Sequence, residues 1–228
     1  MRSLTARKSP NKSEGQPFPP SLRSVREERE RARAALGMAF RPRRIVLGVT
    51  GSIAAYKAPE IIRGFVKAGF ETRCILTSRA KDFVAPLTLA TLSHYPPIEN
   101  ENDSQLWEMA HLSLAEWAPV LLIAPATADF IAKLAAGLGD NALSLLSLAF
   151  KGQVIVCPAM DGGMWEHPAT KRNVETLRHF GYEIWGPELG ELASGKIGIG
   201  RMVEPQAIIE RVKSFWPSEK ERIRKSRR

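Results

Sequence analysis

Four short runs constrain the fold more than any other feature of this sequence: Ile45-Val46-Leu47-Gly48-Val49, Thr72-Arg73-Cys74-Ile75-Leu76, Val120-Leu121-Leu122-Ile123 and Val154-Ile155-Val156-Cys157. Each is too short for a helix, and each ends in a turn of Gly, Ser, Thr or Pro. Three of them, all but 72–76, are apolar along their whole length, as are strands covered on both faces in a parallel sheet. Helical stretches follow at about 54–68, 81–93, 130–136, 141–150, 168–180 and 204–216, with an amphipathic turn after His111 and a further strand at Glu183-Ile184-Trp185. Strands alternating with helices at this spacing predict an α/β fold with a doubly wound parallel sheet.

The chain of 228 residues is long enough for one domain with a full core, and no apolar run approaches the roughly 20 residues of a membrane span. Its net charge of +9 is unevenly placed. Residues 1–44 carry 12 Lys/Arg against 4 Asp/Glu, and residues 217–228 carry 6 against 2, whereas 45–216 carry 15 against 18. A slightly acidic body argues against nucleic-acid binding there. The polar, Pro-rich start and the basic end read as solvated tails, with a charged helical stretch at 24–36. The expected domains are a disordered basic extension (1–42), one globular domain (43–216) and a basic C-terminal tail (217–228). Met38 is a second candidate for the translation start, and detecting a peptide from residues 1–37 in the native protein by mass spectrometry would rule it out. Cys74 and Cys157 fall in strand-like runs and read as buried thiols in a reducing compartment.

The strand ends carry the candidate chemistry. Gly48-Val49-Thr50-Gly51-Ser52-Ile53 joins strand to helix, a turn that aims backbone N–H groups and the positive helix end at an anion. It is neither GxGxxG nor GxxxxGK[ST], so neither a dinucleotide fingerprint nor a P-loop is supported. Thr77, Ser78 and Arg79 end the second run and suit a phosphate or a ribityl chain. At Ala124-Pro125-Ala126-Thr127-Ala128-Asp129, small residues let a flat ligand approach the backbone.

The fourth run leads into Pro158-Ala159-Met160-Asp161-Gly162-Gly163-Met164-Trp165. Large apolar side chains beside a carboxyl on a glycine-bearing loop read as a lid over a small molecule. A second loop, read as mobile, spans Gly190 to Met202 with four glycines in eleven residues.

Five motifs in one order, GVTGSIAAYK (48–57), HLSLAEWA (111–118), IAPATADFIAKLAAGLGDN (123–141), PAMDGGMWEHPAT (158–170) and GKIGIGRMVEP (195–205), resemble the flavin-containing cysteine decarboxylase family over about residues 43–216. The nearest branch is that of the phosphopantothenoylcysteine decarboxylases of coenzyme A biosynthesis. No stretch resembles the ligase domain often fused after the bacterial enzymes. The resemblance implies a three-layer flavodoxin-like (Rossmann-like) sandwich with a parallel sheet. It implies FMN held by Gly51, Ser52, Ile53, Thr77, Ser78, Thr127, Ala128, Asp129 and Ala159. It implies a small-molecule cysteinyl substrate held by Met160, Asp161, Met164, Trp165, Ala193 and Met202, with His111 catalytic. A homotrimer, or a dodecamer built of trimers, in the cytoplasm is implied as well, with no membrane, no metal, and no nucleic acid on the body.

The chemistry accounts for the cofactor. Loss of CO2 from a cysteinyl carboxylate leaves a carbanion, and side chains offer no electron sink. The family's scheme oxidises the CH–SH carbon to a thioaldehyde, CO2 leaves to give an enethiol, and hydride and a loop-cysteine proton then saturate it. His111, with an unperturbed pKa near 6.5, suits the proton transfers.

Two residues depart from the family pattern. Asp161 stands where the family has Asn, and an ionised Asp repels a substrate carboxylate. Ser194 stands where the family has its proton-donating cysteine, and a hydroxyl is a poorer acid than a thiol. Three readings therefore stay open. They are the coenzyme A pathway decarboxylase, an oxidative decarboxylase of a peptide or other cysteinyl thiol that stops at the enethiol, and a catalytically silent FMN-binding subunit.

Overall fold

The computed structural model describes residues 43–99 and 113–216. The extension 1–42 with its expected helical stretch at 24–36, the tail 217–228 and the segment 100–112, His111 included, lie outside the described residues.

Strand β1 (Arg43–Val49) leads through a 3-10 turn (Ile53–Lys57) into α1 (Ala58–Lys67) and β2 (Phe70–Leu76). A second 3-10 turn (Ser78–Asp82), α2 (Pro86–Ser93) and the short strand β3 (Ile98–Glu99) follow. After α3 (113–117) come β4 (Val120–Ala126), α4 (Ala128–Ala136), α5 (Ala142–Ala149) and β5 (Gln153–Pro158). The chain then forms α6 (Gly162–Glu166), α7 (Pro168–His179), β6 (Glu183–Ile184), the strands β7 (Glu188–Glu191) and β8 (Ile197–Arg201), and α8 (Pro205–Lys213).

Strands β1 to β6 make one sheet in the order β3-β2-β1-β4-β5-β6, parallel throughout. Successive side chains of a strand point to opposite faces, so an all-apolar strand feeds two cores. Ile45, Leu47 and Val49 pack with Ile61 and Phe65 of α1 and Ile208 of α8 on one face. Val46, Leu121 and Ile123 pack with Phe130 of α4, Leu143 and Leu146 of α5 and Leu177 of α7 on the other. This is the expected three-layer sandwich, and its strand order is the Rossmann one.

The structure departs from the sequence expectations in three places. The helix expected over 81–93 is two pieces, because Pro86 holds Ala85 extended: a 3-10 turn ends at Asp82, and α-helix begins only at Pro86. The lid after β5 is not a loop throughout: Asp161 caps α6, whose Gly162 and Gly163 take helical places. The Gly190–Met202 loop is an antiparallel hairpin, with Glu191 opposite Ile197 and Gly190 opposite Gly198. Its turn closes through Gly195 at φ +76°, a conformation that costs a side chain dearly.

Candidate active site

The strand order reverses between β1 and β4, and the crevice of an open α/β sheet lies at the C-terminal ends of the strands flanking that reversal. Thr50 ties those ends together. Its Oγ1 donates to the Pro125 carbonyl at 2.8 Å and accepts from the Thr127 N–H at 3.0 Å, in a fully buried position. The Thr77 N–H donates to the Val49 carbonyl at 3.1 Å and draws the end of β2 to the same rim. Local capping continues the pattern. Ser52 accepts from the Ala54 N–H at 3.3 Å and Thr127 from the Phe130 N–H at 3.2 Å, so each strand end passes into a helix start through a hydroxyl.

Two adjoining cavities open along this rim, of about 700 and 520 Å³, within the range of small-molecule sites. The larger is lined by Gly51, Ser52, Ile53, Thr127, Ala128 and Ala159 on the sheet side, and by Met160, Asp161, Met164, Ala193, Ser194 and Met202 on the other. The smaller is lined by Thr77, Ser78 and Asp129, and shares Gly51, Thr127, Ala128 and Met164 with the larger. The residues predicted from four separated motifs therefore converge. Trp165 does not join them: α6 turns it into the core, 6 % exposed, with the Lys171 ammonium 4.6 Å from its ring centre, while its neighbour Met164 faces both cavities. His111 lies outside the described residues.

Other lining residues were not singled out from the sequence. Lys57 lines the larger cavity although nearly buried, and its Nζ meets Glu204 Oε1 at 2.9 Å. Arg201 reaches the same carboxylate at 3.6 Å and Glu188 at 3.8 Å. The available signal was Lys57 itself, a charge between the buried residues Ala55 and Ala58 at the end of a motif otherwise small and apolar. In the smaller cavity Lys133 lies between Asp140 (2.9 Å) and Asp129 (3.5 Å). The hydrogen bond to Asp140 raises the lysine pKa, and the same bond holds the Asp140 carboxyl below its ordinary range.

The far wall is built from two chain segments. The Met160 N–H donates to the Gly200 carbonyl at 3.0 Å, and a Cβ on Gly200 would stand 2.2 Å from the Met160 carbonyl oxygen, so only glycine admits this approach. Beyond it, Asp161 Oδ1 accepts from the Gly163 N–H at 2.9 Å, and Oδ2 accepts from Ser194 Oγ at 3.3 Å. Cys157 stands behind the wall, fully buried in β5, where burial pushes its thiol pKa up. It cannot supply a proton to the cavity.

Chemically, the site pairs a rim of hydroxyls, helix starts and cations with walls of small and apolar residues. The rim suits a phosphate, and Gly51, Ala128 and Ala159 leave space for a flat ring system. These residues fit a flavin mononucleotide, the larger cavity keeping room for a second small molecule against Met160, Met164 and Met202.

Comparison with known proteins agrees. The family model described as Flavoprotein matches residues 36–216. The chain is 42% identical over 175 residues to the coenzyme A biosynthesis bifunctional protein CoaBC of Vibrio vulnificus (strain YJ016), which covers 76% of this chain and 44% of that relative. The chain thus spans less than half the length of the curated relatives it matches. Among solved structures, it is similar to a cysteine-to-serine mutant of PPC decarboxylase complexed with pantothenoylaminoethenethiol, at a TM-score of 0.68 and 32% identity, covering 78% of this chain and 100% of that one. It is also similar to the FMN-dependent cysteine decarboxylase SpaF, at a TM-score of 0.64 and 31% identity over 75% and 96% of the two chains. With a family model matched across its whole described sheet and 32% identity, over 78% of its length, to a decarboxylase covered end to end, the chain belongs to the Flavoprotein family, among the flavin-containing cysteine decarboxylases.

Proposed function

We propose that this protein is an FMN-dependent carboxy-lyase that decarboxylates phosphopantothenoylcysteine in coenzyme A biosynthesis. The observation that carries the reading is the convergence, on adjoining cavities, of the hydroxyl rim at β1, β2 and β4 with the methionine-lined wall of α6 and the hairpin. The likeness to CoaBC and to PPC decarboxylase supports the choice of substrate. Residues 43–216 are the catalytic domain, with 1–42 and 217–228 as appended tails.

FMN, when bound, supplies the two-electron acceptor that a cysteinyl CH–SH carbon needs before its carboxylate can leave as CO2. The protein's own residues do the rest. Gly51, Ser52, Ile53, Thr127, Ala128 and Ala159 hold the cofactor's flat part, and Thr77, Ser78 and Asp129 line its polar end. Met160, Met164, Ala193 and Met202 enclose the substrate and exclude water from the reacting carbon. His111 moves the proton at that carbon. Asp161 lines the substrate side of the same cavity, its two oxygens accepting from the Gly163 N–H and the Ser194 hydroxyl.

One observation favours a second reading, in which the reaction stops at the enethiol. The Ser194 hydroxyl points to Asp161, not along an open path to the substrate. We propose a cytoplasmic homotrimer as the working form, with exposed apolar side chains such as Leu87, 77 % exposed, as its support. No helix among the described residues is long and apolar enough to cross a membrane.

The test is mass spectrometry of phosphopantothenoylcysteine after incubation with the FMN-loaded full chain in the absence of oxygen. Loss of CO2 alone is the expected result. Loss of CO2 together with two hydrogens selects the second reading, and unchanged substrate overturns both.

A further inference from the structure

The two residues that read in the sequence as independent defects touch each other. Asp161 ends β5's crossing into α6, and Ser194 sits at the tip of the β7–β8 hairpin, 33 positions away, yet Ser194 Oγ donates to Asp161 Oδ2 at 3.3 Å. The base of the hairpin is already fixed to the same segment by the Met160–Gly200 backbone bond. Its tip is self-closed by the Leu192 N–H on the Lys196 carbonyl (2.8 Å) and the Gly195 N–H on the Leu192 carbonyl (2.9 Å). Among the described residues, no hydrogen bond other than Ser194–Asp161 ties that tip to α6. Both partners are exposed and the contact is long for O–H···O, so it can be made and broken without disturbing the core.

We propose that Asp161 and Ser194 are one positioning unit, a hydrogen-bonded latch that holds the hairpin tip across the mouth of the larger cavity and sets how tightly the cysteinyl substrate is enclosed. This rests on the reading of that cavity as the substrate site. Each group answers the other. A carboxyl at 161 gives the hydroxyl an acceptor that is free once the helix cap is made, and a short hydroxyl at 194 gives the carboxyl a donor. The proton of Ser194 is then engaged by Asp161 and is not offered to the substrate, so Ser194 is a positioning residue and not the proton donor.

A double-substitution cycle tests this on the FMN-loaded full chain. Asp161→Ser keeps an oxygen able to cap α6 but too short to reach Ser194. Ser194→Ala removes the hydroxyl. Without substrate, hydrogen exchange at the Leu192 and Gly195 amides is expected to rise about fivefold in each single variant, and no further in the double. Unchanged singles, or factors that multiply in the double, overturn the latch. With phosphopantothenoylcysteine, both singles are expected to raise KM alike and to leave the ratio of saturated to unsaturated product unchanged. A product ratio altered by Ser194→Ala alone identifies a proton donor and overturns the proposal. If no substrate turns over, the proposed function fails while the exchange result still decides the latch.

Discussion

The site has two walls of different construction. The inner wall rises from the buried ends of β1, β2 and β4 and is stitched by Thr50 to its neighbours at 2.8 and 3.0 Å. The outer wall, α6 and the hairpin, is mostly exposed, and hydrogen bonding joins its two segments through one backbone bond and the long Ser194–Asp161 contact. A preformed inner wall fits a cofactor that stays bound through turnover. A loosely tied outer wall fits a substrate that must enter and leave, since segments that open are drawn from the least stable parts of a fold.

The largest expected effect breaks the outer wall at its one rigid point. Gly200→Val forces a branched side chain into the 2.2 Å approach to the Met160 carbonyl. It should cost about 1–3 kcal/mol, the usual range for overpacking, and should abolish turnover while flavin absorbance is retained. Loss of the flavin as well would show that the two walls are one cooperative unit.

Thr50→Val attacks the inner wall. It strips the Thr127 N–H of its acceptor and Pro125 of a donor, at an expected cost of about 1–3 kcal/mol. Thermal unfolding should reveal this, and flavin affinity should fall more than substrate affinity. The reverse order would contradict the division of labour between the walls.

The smallest effect sharpens the comparison. Both thiols lie in strands of the inner body, Cys74 pushed up from the ordinary 9.0 to about 12 by burial. A thiol reagent at neutral pH should find neither in the native protein and both in denaturant. Above pH 9 the unfolded chain loses protons that folded Cys74 keeps, so stability should decline from there upward. Rapid native labelling would mean that the inner wall opens as readily as the outer.

Much of this molecule was legible before its structure. The unbroken apolar runs 45–49, 120–123 and 154–157 are what a strand covered on both faces requires, and the residues after them lie on one rim because parallel strands all end on the same side. Thr127 read as part of a cofactor turn for the same reason. Where a local pattern had two outcomes, the sequence alone did not choose. Glycines at 162–163 and 195–200 admit loop, helix and hairpin alike, and the choice fell to a cap at Asp161 and to cross-strand pairing of Glu191 with Ile197.

By itself, then, the amino-acid sequence determined the layer architecture, the strand ends that share one rim and the family, because each rests on residues close together in the chain. Only the tertiary structure decided that Trp165 is core, that Lys57 and Glu204 pair across 147 positions, and that Asp161 and Ser194 meet. Those facts depend on where separate segments come to rest, and no local periodicity or spacing encodes a contact between them.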